Sequence, residues 1–186
     1  MSYPSRQHAF DLLNRYTSKP GLIKHAIAVE EVMRYFARQC QGDEEEWGIA
    51  GLIHDLDYEM FPDQHCLKAK EILEADGWPK NLIRAVLAHG WGLFTEVKPE
   101  SEMEKHLYAT DELSGFIVAC ALVRPTKKLS DVDVEFVCKK WRIPSFAAGV
   151  KRDVVARGAE LLNTSFERLA NETLKALQAS ADKLGL

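Results

Sequence analysis

Residues 43–57 read DEEEWGIAGLIHDLD, and this stretch carries the strongest signal for the fold. Asp43, with Glu46 three residues later, is close to a capping box, which marks the start of a helix. The residues that follow are apolar on nearly every side, as in a helix at the centre of a bundle: Trp47, Ile49, Ala50, Leu52 and Ile53. His54 and Asp55 stand where this buried helix ends. We therefore expect a central helix with polar chemistry at its C-terminal end.

Apolar residues keep helical spacing on both sides of this stretch, and no alternating pattern bounded by hairpin turns is found. We predict an all-α fold of about nine helices. Lys19-Pro20-Gly21 is expected to separate the first two, and Ser130 to cap the seventh. Besides the helix that starts at 43, the predicted ranges are 5–16, 22–41, 65–75, 79–89, 101–123, 130–141, 146–162 and 165–184.

The composition describes a globular chain with no dedicated nucleic-acid surface. Of its 186 residues, 46% are hydrophobic and 28% charged, and the net charge is −4. These values exclude a disordered chain and argue against a nucleic-acid partner. The longest apolar run, 116–123, is far shorter than the roughly 20 residues that span a bilayer, so no membrane association is expected. The N-terminal segment lacks the apolar region of a signal peptide, which predicts a cytoplasmic protein.

The four cysteines lack the paired spacing of thiolate zinc sites: Cys40, Cys66, Cys120 and Cys138. We expect reduced thiols rather than a disulfide framework.

Residue types that bind metals recur on the apolar faces of other predicted helices: His25, His65, His89 and Asp111. His25, for example, shares its face with Val29 and Val32, at +4 and +7. Gly115, one turn after Asp111, leaves room for an ion or a ligand. Each histidine taken singly is also compatible with a hydrogen-bonded core residue, and the His54-Asp55 pair with an ordinary helix terminus. Together, however, four inward histidines and two inward carboxylates would be satisfied by one shared cation.

The order His25, His54-Asp55, Asp111 on separate helices resembles the four-ligand pattern of the HD-domain superfamily of metal-dependent phosphohydrolases. The resemblance covers about residues 20–125. His65 and His89 are similar to the extra ligands of six-ligand members, which hold two metal ions. In those members the aspartate of the pair bridges the ions, and this role would fall to Asp55.

The closest likeness is to small standalone bacterial HD proteins of the HDIG type, and it includes the stretch LVRPTKKLSD at 122–131. The chain differs from the commoner His-Asp-Ile-Gly motif, since it reads His54-Asp55-Leu56-Asp57 and lacks the lysine that often follows. Asp57, or Glu59, is therefore a candidate acid or base beside Asp55, the other candidate catalytic residue. The alternative for both Asp57 and Glu59 is a solvated or capping carboxylate.

Imidazole and carboxylate ligands suit Mn, Fe, Co, Ni or Zn, and the carboxylates also suit Mg. One or two such ions are expected. A bound ion would lower the pKa of a coordinated water from about 15.7 towards 7, and the hydroxide would attack phosphorus.

A substrate phosphate also needs cationic partners from the protein. Arg124, Lys127 and Lys128 cluster after the helix of Asp111 and are the predicted substrate-binding residues. The alternative is a solvated basic loop at a helix C-terminus.

These observations predict an enzyme, a metal-dependent phosphohydrolase acting on a phosphomonoester or phosphodiester of a nucleotide or small metabolite. Two alternatives stay open: a di-iron oxygenase of the HD type, and a non-catalytic HD module that binds a partner. One domain is expected over 1–186, with a metal-binding core at 20–125 and C-terminal helices in 130–185 packed on it. The last helix could also form a homodimer contact.

Overall fold

The computed structural model describes residues 4–186, and within that range it contains ten α-helices and no β-strand. The predicted all-α class is therefore confirmed. The helices are α1 Arg6–Tyr16, α2 Pro20–Cys40, α3 Glu44–Ile53, α4 Leu67–Ala75, α5 Lys80–His89, α6 Glu102–Leu122, α7 Val134–Trp141, α8 Arg152–Leu161, α9 Phe166–Ala179 and α10 Ala181–Leu184. The first three residues of the predicted domain 1–186, which are also the start of the segment assessed as a signal peptide, lie outside the described residues.

Side-chain caps begin several of these helices at the positions that the sequence indicates. Ser5 accepts a hydrogen bond from the His8 backbone N–H at the start of α1. Asp43 caps α3 by accepting from the second and third residues that follow it. A full capping box between Ser101 and Glu104 starts α6. These local bonds satisfy backbone N–H groups that the first helical turn leaves unpaired.

The buried helix α3 lies against α2 at very short range. Every residue from Trp47 to Ile53 is buried. A Cβ atom at Gly51 would lie 2.8 Å from the Val29 carbonyl oxygen and 2.9 Å from the Glu30 nitrogen, so only glycine permits this approach. The close packing of α3 on α2 brings His54, at the end of α3, beside His25 on α2.

The hydrophobic core is one cluster to which every helix from α1 to α10 contributes at least one buried side chain. The predicted subdivision into 20–125 and 130–185 stays a prediction. No helix in residues 4–186 is both long and apolar enough to cross a bilayer. All four cysteines are free thiols.

Two predicted helix starts are wrong. Pro20 does not interrupt the helix but occupies the first position of α2, where the missing N–H costs no hydrogen bond. The helix predicted from 65 begins only at Leu67, because His65 is extended and Cys66 has a positive φ of 68°.

The C-terminal boundaries also differ from the prediction. Ser130 lies in a 3-10 turn, and Asp133 caps α7 instead. The helix predicted from 146 begins at Arg152, since the backbone turns at Ala147 with a φ of 45°. The last predicted helix ends at Ala179, and α10 follows after Ser180.

Candidate metal centre

Six side chains from distant parts of the chain meet at one place. His25 comes from α2, and His54 and Asp55 come from the end of α3 and the turn after it. His89 is the last residue of α5, and Asp111 lies in the middle of α6. The sixth is His65, just before α4. Five of the six line a cavity of about 490 Å³, and His54 lies fully buried behind them. The structure therefore brings together all six predicted metal ligands.

One half of the cluster contains His25, His54, Asp55 and Asp111. Asp111 Oδ1 lies 2.9 Å from His25 Nε2 and 3.2 Å from His54 Nε2. Asp55 Oδ2 lies 3.4 Å from His54 Nε2 and 3.8 Å from His25 Nε2. Two imidazole nitrogens and two carboxylate oxygens thus face one point.

The other half of the cluster uses the second oxygen of the same aspartate. Asp55 Oδ1 lies 3.2 Å from His65 Nε2 and 3.4 Å from His89 Nε2. The two imidazole nitrogens are 3.2 Å apart. Asp55 therefore stands between two groups of ligand atoms and turns one oxygen towards each.

Hydrogen bonds on the outer side orient three of the four imidazoles. His54 Nδ1 donates to the Gly51 carbonyl at 2.7 Å, and His89 Nδ1 donates to the Val86 carbonyl. His65 Nδ1 donates to Asp57 at 2.7 Å. Because carbonyl and carboxylate oxygens only accept, each Nδ1 carries a proton, and Nε2 is the ring nitrogen that can bind an ion once its own proton is lost.

The donor atoms fit a metal ion. His54 Nε2 is buried and has no hydrogen-bond partner, which is costly for a polar atom unless a cation or proton lies beside it. His65 Nε2 and His89 Nε2 also face each other at 3.2 Å, where a shared proton or a cation would satisfy both nitrogens. Ligand atoms about 2.0–2.1 Å from a tetrahedral ion are roughly 3.3 Å apart, close to the 3.2–3.4 Å found around Asp55 Oδ1.

Negatively charged neighbours change the pKa values of three of these histidines. Burial alone would lower the pKa of His54, but Asp55 and Asp111 outweigh it and raise that pKa well above its usual value. Burial would also lower the pKa of His65 and of His89, but Asp55 and Asp57 beside His65, and Cys66 and Asp55 beside His89, outweigh it and raise each pKa to about 9. The pKa of Asp55 is held well below its usual value by His54, His65 and His89, although burial opposes this. A positive charge is thus favoured at the Nε2 atoms, where a metal ion would bind.

Asp57 lies behind His65 rather than in the cavity. Its side chain is 0% exposed, and its Oδ1 holds His65 Nδ1 while its Oδ2 accepts from the Ala69 backbone N–H at 2.8 Å. Glu59 also points elsewhere, since it accepts bonds from Ser18 and from the Lys19 backbone. Neither carboxylate faces the space that a substrate would occupy.

The structure does not bring the predicted phosphate-binding residues into the cavity. Asp111 and Leu122 are separated by 11 residues of α6, or about 16 Å of helix, and Arg124 follows beyond that end. Arg124 packs on the Phe136 ring at 4.7 Å, while Lys127 and Lys128 are exposed beside a separate depression. These three residues are therefore close to Asp111 along the sequence but not in the folded protein.

Several residues near the cluster were not singled out from the sequence. Glu112 and Lys151 line the cavity, and Glu112 accepts from the Lys151 backbone N–H at 3.2 Å. The adjacent Cys66 thiol is buried 3.9 Å from His89 Nε2 and forms a further potential ligand group with His65 and His89. The sequence could have pointed to Glu112, because it directly follows the predicted ligand Asp111. Lys151 reaches the site only because α8 packs on α6.

No protein-family model, curated protein or solved structure matches this chain. The structure by itself shows a cluster of His, Asp and Cys side chains that could hold a metal ion.

Proposed function

We propose that this protein is an HD-type metal-dependent phosphohydrolase that acts on a phosphomonoester or phosphodiester. The observation that supports it is the position of Asp55 between two groups of imidazole nitrogens, with a different oxygen towards each. This arrangement suits two ions that share a carboxylate. The open cavity beside them leaves room for a substrate.

Each side chain has a role in this proposal. His25, His54 and Asp111 would hold the first ion, His65 and His89 would hold the second, and Asp55 would contribute one oxygen to each. A bound divalent ion supplies Lewis acidity and lowers the pKa of a coordinated water. Two such ions can also neutralise charge on the phosphate oxygens.

Asp57 serves in this proposal as a positioning residue. Its buried bond to His65 Nδ1 fixes the ring and keeps Nε2 free to bind. This buried position argues against the predicted role of Asp57 as an acid or base. Lys151, which lines the cavity, takes the place of the basic cluster at 124–128 as the proposed cationic partner of a bound phosphate.

Metal analysis followed by a phosphoester panel tests the proposal. We expect the purified protein to bind up to two divalent ions and to hydrolyse at least one ester when that metal is supplied. His54→Ala and Asp55→Ala should abolish metal binding at the first site and turnover while circular dichroism shows retained helicity. His65→Ala or His89→Ala should lower the metal content from two ions to one.

His8→Ala is the matched control, because His8 is an exposed histidine of α1 outside the cluster. It should keep both the metal content and the activity. Metal binding that survives Asp55→Ala unchanged would refute the site, and a fully loaded protein inactive on every ester would refute the hydrolase.

A di-iron oxygenase is the second candidate, and the same bridging geometry favours it. Four imidazoles and a shared carboxylate also suit a pair of iron ions. Oxygen consumption and an iron-dependent optical spectrum in the iron-loaded protein would select this function over hydrolysis.

A further inference from the structure

Two aromatic rings stand beside the cluster with much of their surface exposed. Tyr58 and Phe94 pack edge-on against the His65 ring, with centroids 5.1 Å and 4.7 Å away. Tyr58 is 42% exposed, Phe94 44% and the neighbouring Leu93 45%. All three line the cavity that contains the proposed ligands. Exposed large apolar side chains grouped around a cavity mark a surface suited to an apolar ligand.

The loop that carries Leu93 and Phe94 is held in place. The Gly90 carbonyl accepts backbone hydrogen bonds from Leu93, Phe94 and Thr95. The Thr95 hydroxyl donates to the Leu87 carbonyl at 2.7 Å, which ties the loop to α5. Because the loop is ordered by its own bonds, its apolar side chains form a preformed wall rather than one that must be arranged on binding.

The charges in the cavity suit one phosphate group and no more. Lys151 is the one Lys or Arg side chain among the described lining residues. Glu112 adds a negative charge that the proposed metal ligands do not require. Apart from the proposed ions, the described lining residues supply the single cation Lys151, next to the carboxylate of Glu112, so a second or third phosphate would meet little net positive charge from the protein.

We infer that the cavity binds a phosphoester with a single phosphate and an aromatic or similarly apolar organic group, which lies against Tyr58, Leu93 and Phe94. This inference rests on the proposed function and names the substrate class of the same site. The phosphate lies at the imidazoles and carboxylates of the cluster, and the organic group lies against the apolar side chains beside His65.

Calorimetric titration of the metal-loaded protein with non-hydrolysable phosphonates tests the inference without a need for turnover. Benzylphosphonate should bind about tenfold more tightly than methylphosphonate, because contact with the wall removes ring surface from water. With free metal kept saturating, a diphosphate analogue in which carbon replaces the hydrolysable bridging oxygens, benzyl(phosphonomethyl)phosphinate, should bind more weakly than benzylphosphonate. Equal affinity for the two phosphonates, or binding of neither, would overturn the inference.

Variants of the wall locate the effect. Leu93→Ala with Phe94→Ala should reduce the preference for benzylphosphonate to within about threefold. Met60→Ala is the matched control, since Met60 is 55% exposed but does not line the cavity. Glu112→Gln should strengthen binding of the benzyl diphosphate analogue severalfold. A preference for benzylphosphonate that survives the Leu93→Ala and Phe94→Ala changes would contradict the placement of the organic group against these side chains.

Failure of this inference is distinguishable from failure of the proposed function. Hydrolysis of small alkyl phosphates as fast as benzyl phosphate would keep the hydrolase and remove the substrate class. A tenfold preference for benzylphosphonate over methylphosphonate, without hydrolysis of any ester, would keep the ligand class and remove the hydrolase.

Discussion

At the scale of single residues, the position of Asp57 shows how a carboxylate can serve a metal site without touching it. The side chain is buried between His65 Nδ1 and the first turn of α4, where it accepts the Ala69 N–H. A buried carboxylate is costly unless such donors satisfy it. The same two bonds connect the orientation of His65 to the start of α4.

We expect Asp57→Asn to weaken metal binding at the His65 and His89 half of the cluster by about 10- to 100-fold. The amide can still accept from Ala69 or from His65, but it no longer carries the charge that favours a fixed Nδ1–H. Isothermal titration with Mn²⁺ or Zn²⁺ measures the effect. Asp63→Asn, an exposed change in the same connection, should leave binding unchanged. Unaltered affinity of the second ion in Asp57→Asn would contradict the positioning role.

At the scale of elements, the packing of α3 on α2 sets the distance between His25 and His54. His25 and His54 have ring centroids 5.2 Å apart, although 29 positions separate them along the chain. Gly51 makes this approach feasible, because a Cβ atom there would press on the backbone of α2.

Gly51→Ala should therefore destabilise the protein by about 1–3 kcal/mol and weaken metal binding, since α3 must move away from α2. Urea unfolding of the metal-free protein and a metal titration check both effects. Gly21→Ala is the control, because its Cβ meets no atom within 4 Å in the first turn of α2. A Gly51→Ala protein with the stability and metal affinity of the parent would show that the backbone contact does not set the site.

At the scale of the whole molecule, the buried charges couple stability to pH. Protonated His65 and His89, with pKa values raised to about 9, stabilise the metal-free fold fully below their unfolded pKa near 6.5. That contribution is lost as the pH rises through 9. The lowered pKa values of Asp55 and Asp111 add stability above about 4 that is lost as the pH falls further.

Metal-free protein should accordingly lose unfolding free energy between pH 6.5 and 9, by about 3 kcal/mol for each of these two histidines that gives up its proton over this range. Metal-loaded protein should show a smaller loss or a gain, because rising pH removes the protons that compete with the ion. Urea unfolding at the two pH values, with EDTA and with bound metal, measures both. Parallel pH profiles would mean that these histidines do not exchange protons for metal.

The sequence by itself determined the all-α class, the cap at Asp43, and the identity of the six residues that meet in the cluster. These features depend on helical periodicity and on bonds between residues that are close in the chain, and both can be recognised from the order of the residues. Only the tertiary structure decided that Asp55 divides its oxygens between two groups, that Asp57 lies behind His65, and that Lys151 rather than Arg124 lines the cavity. Such distances depend on how α2, α3, α6 and α8 pack, and packing depends on contacts between residues far apart in the chain.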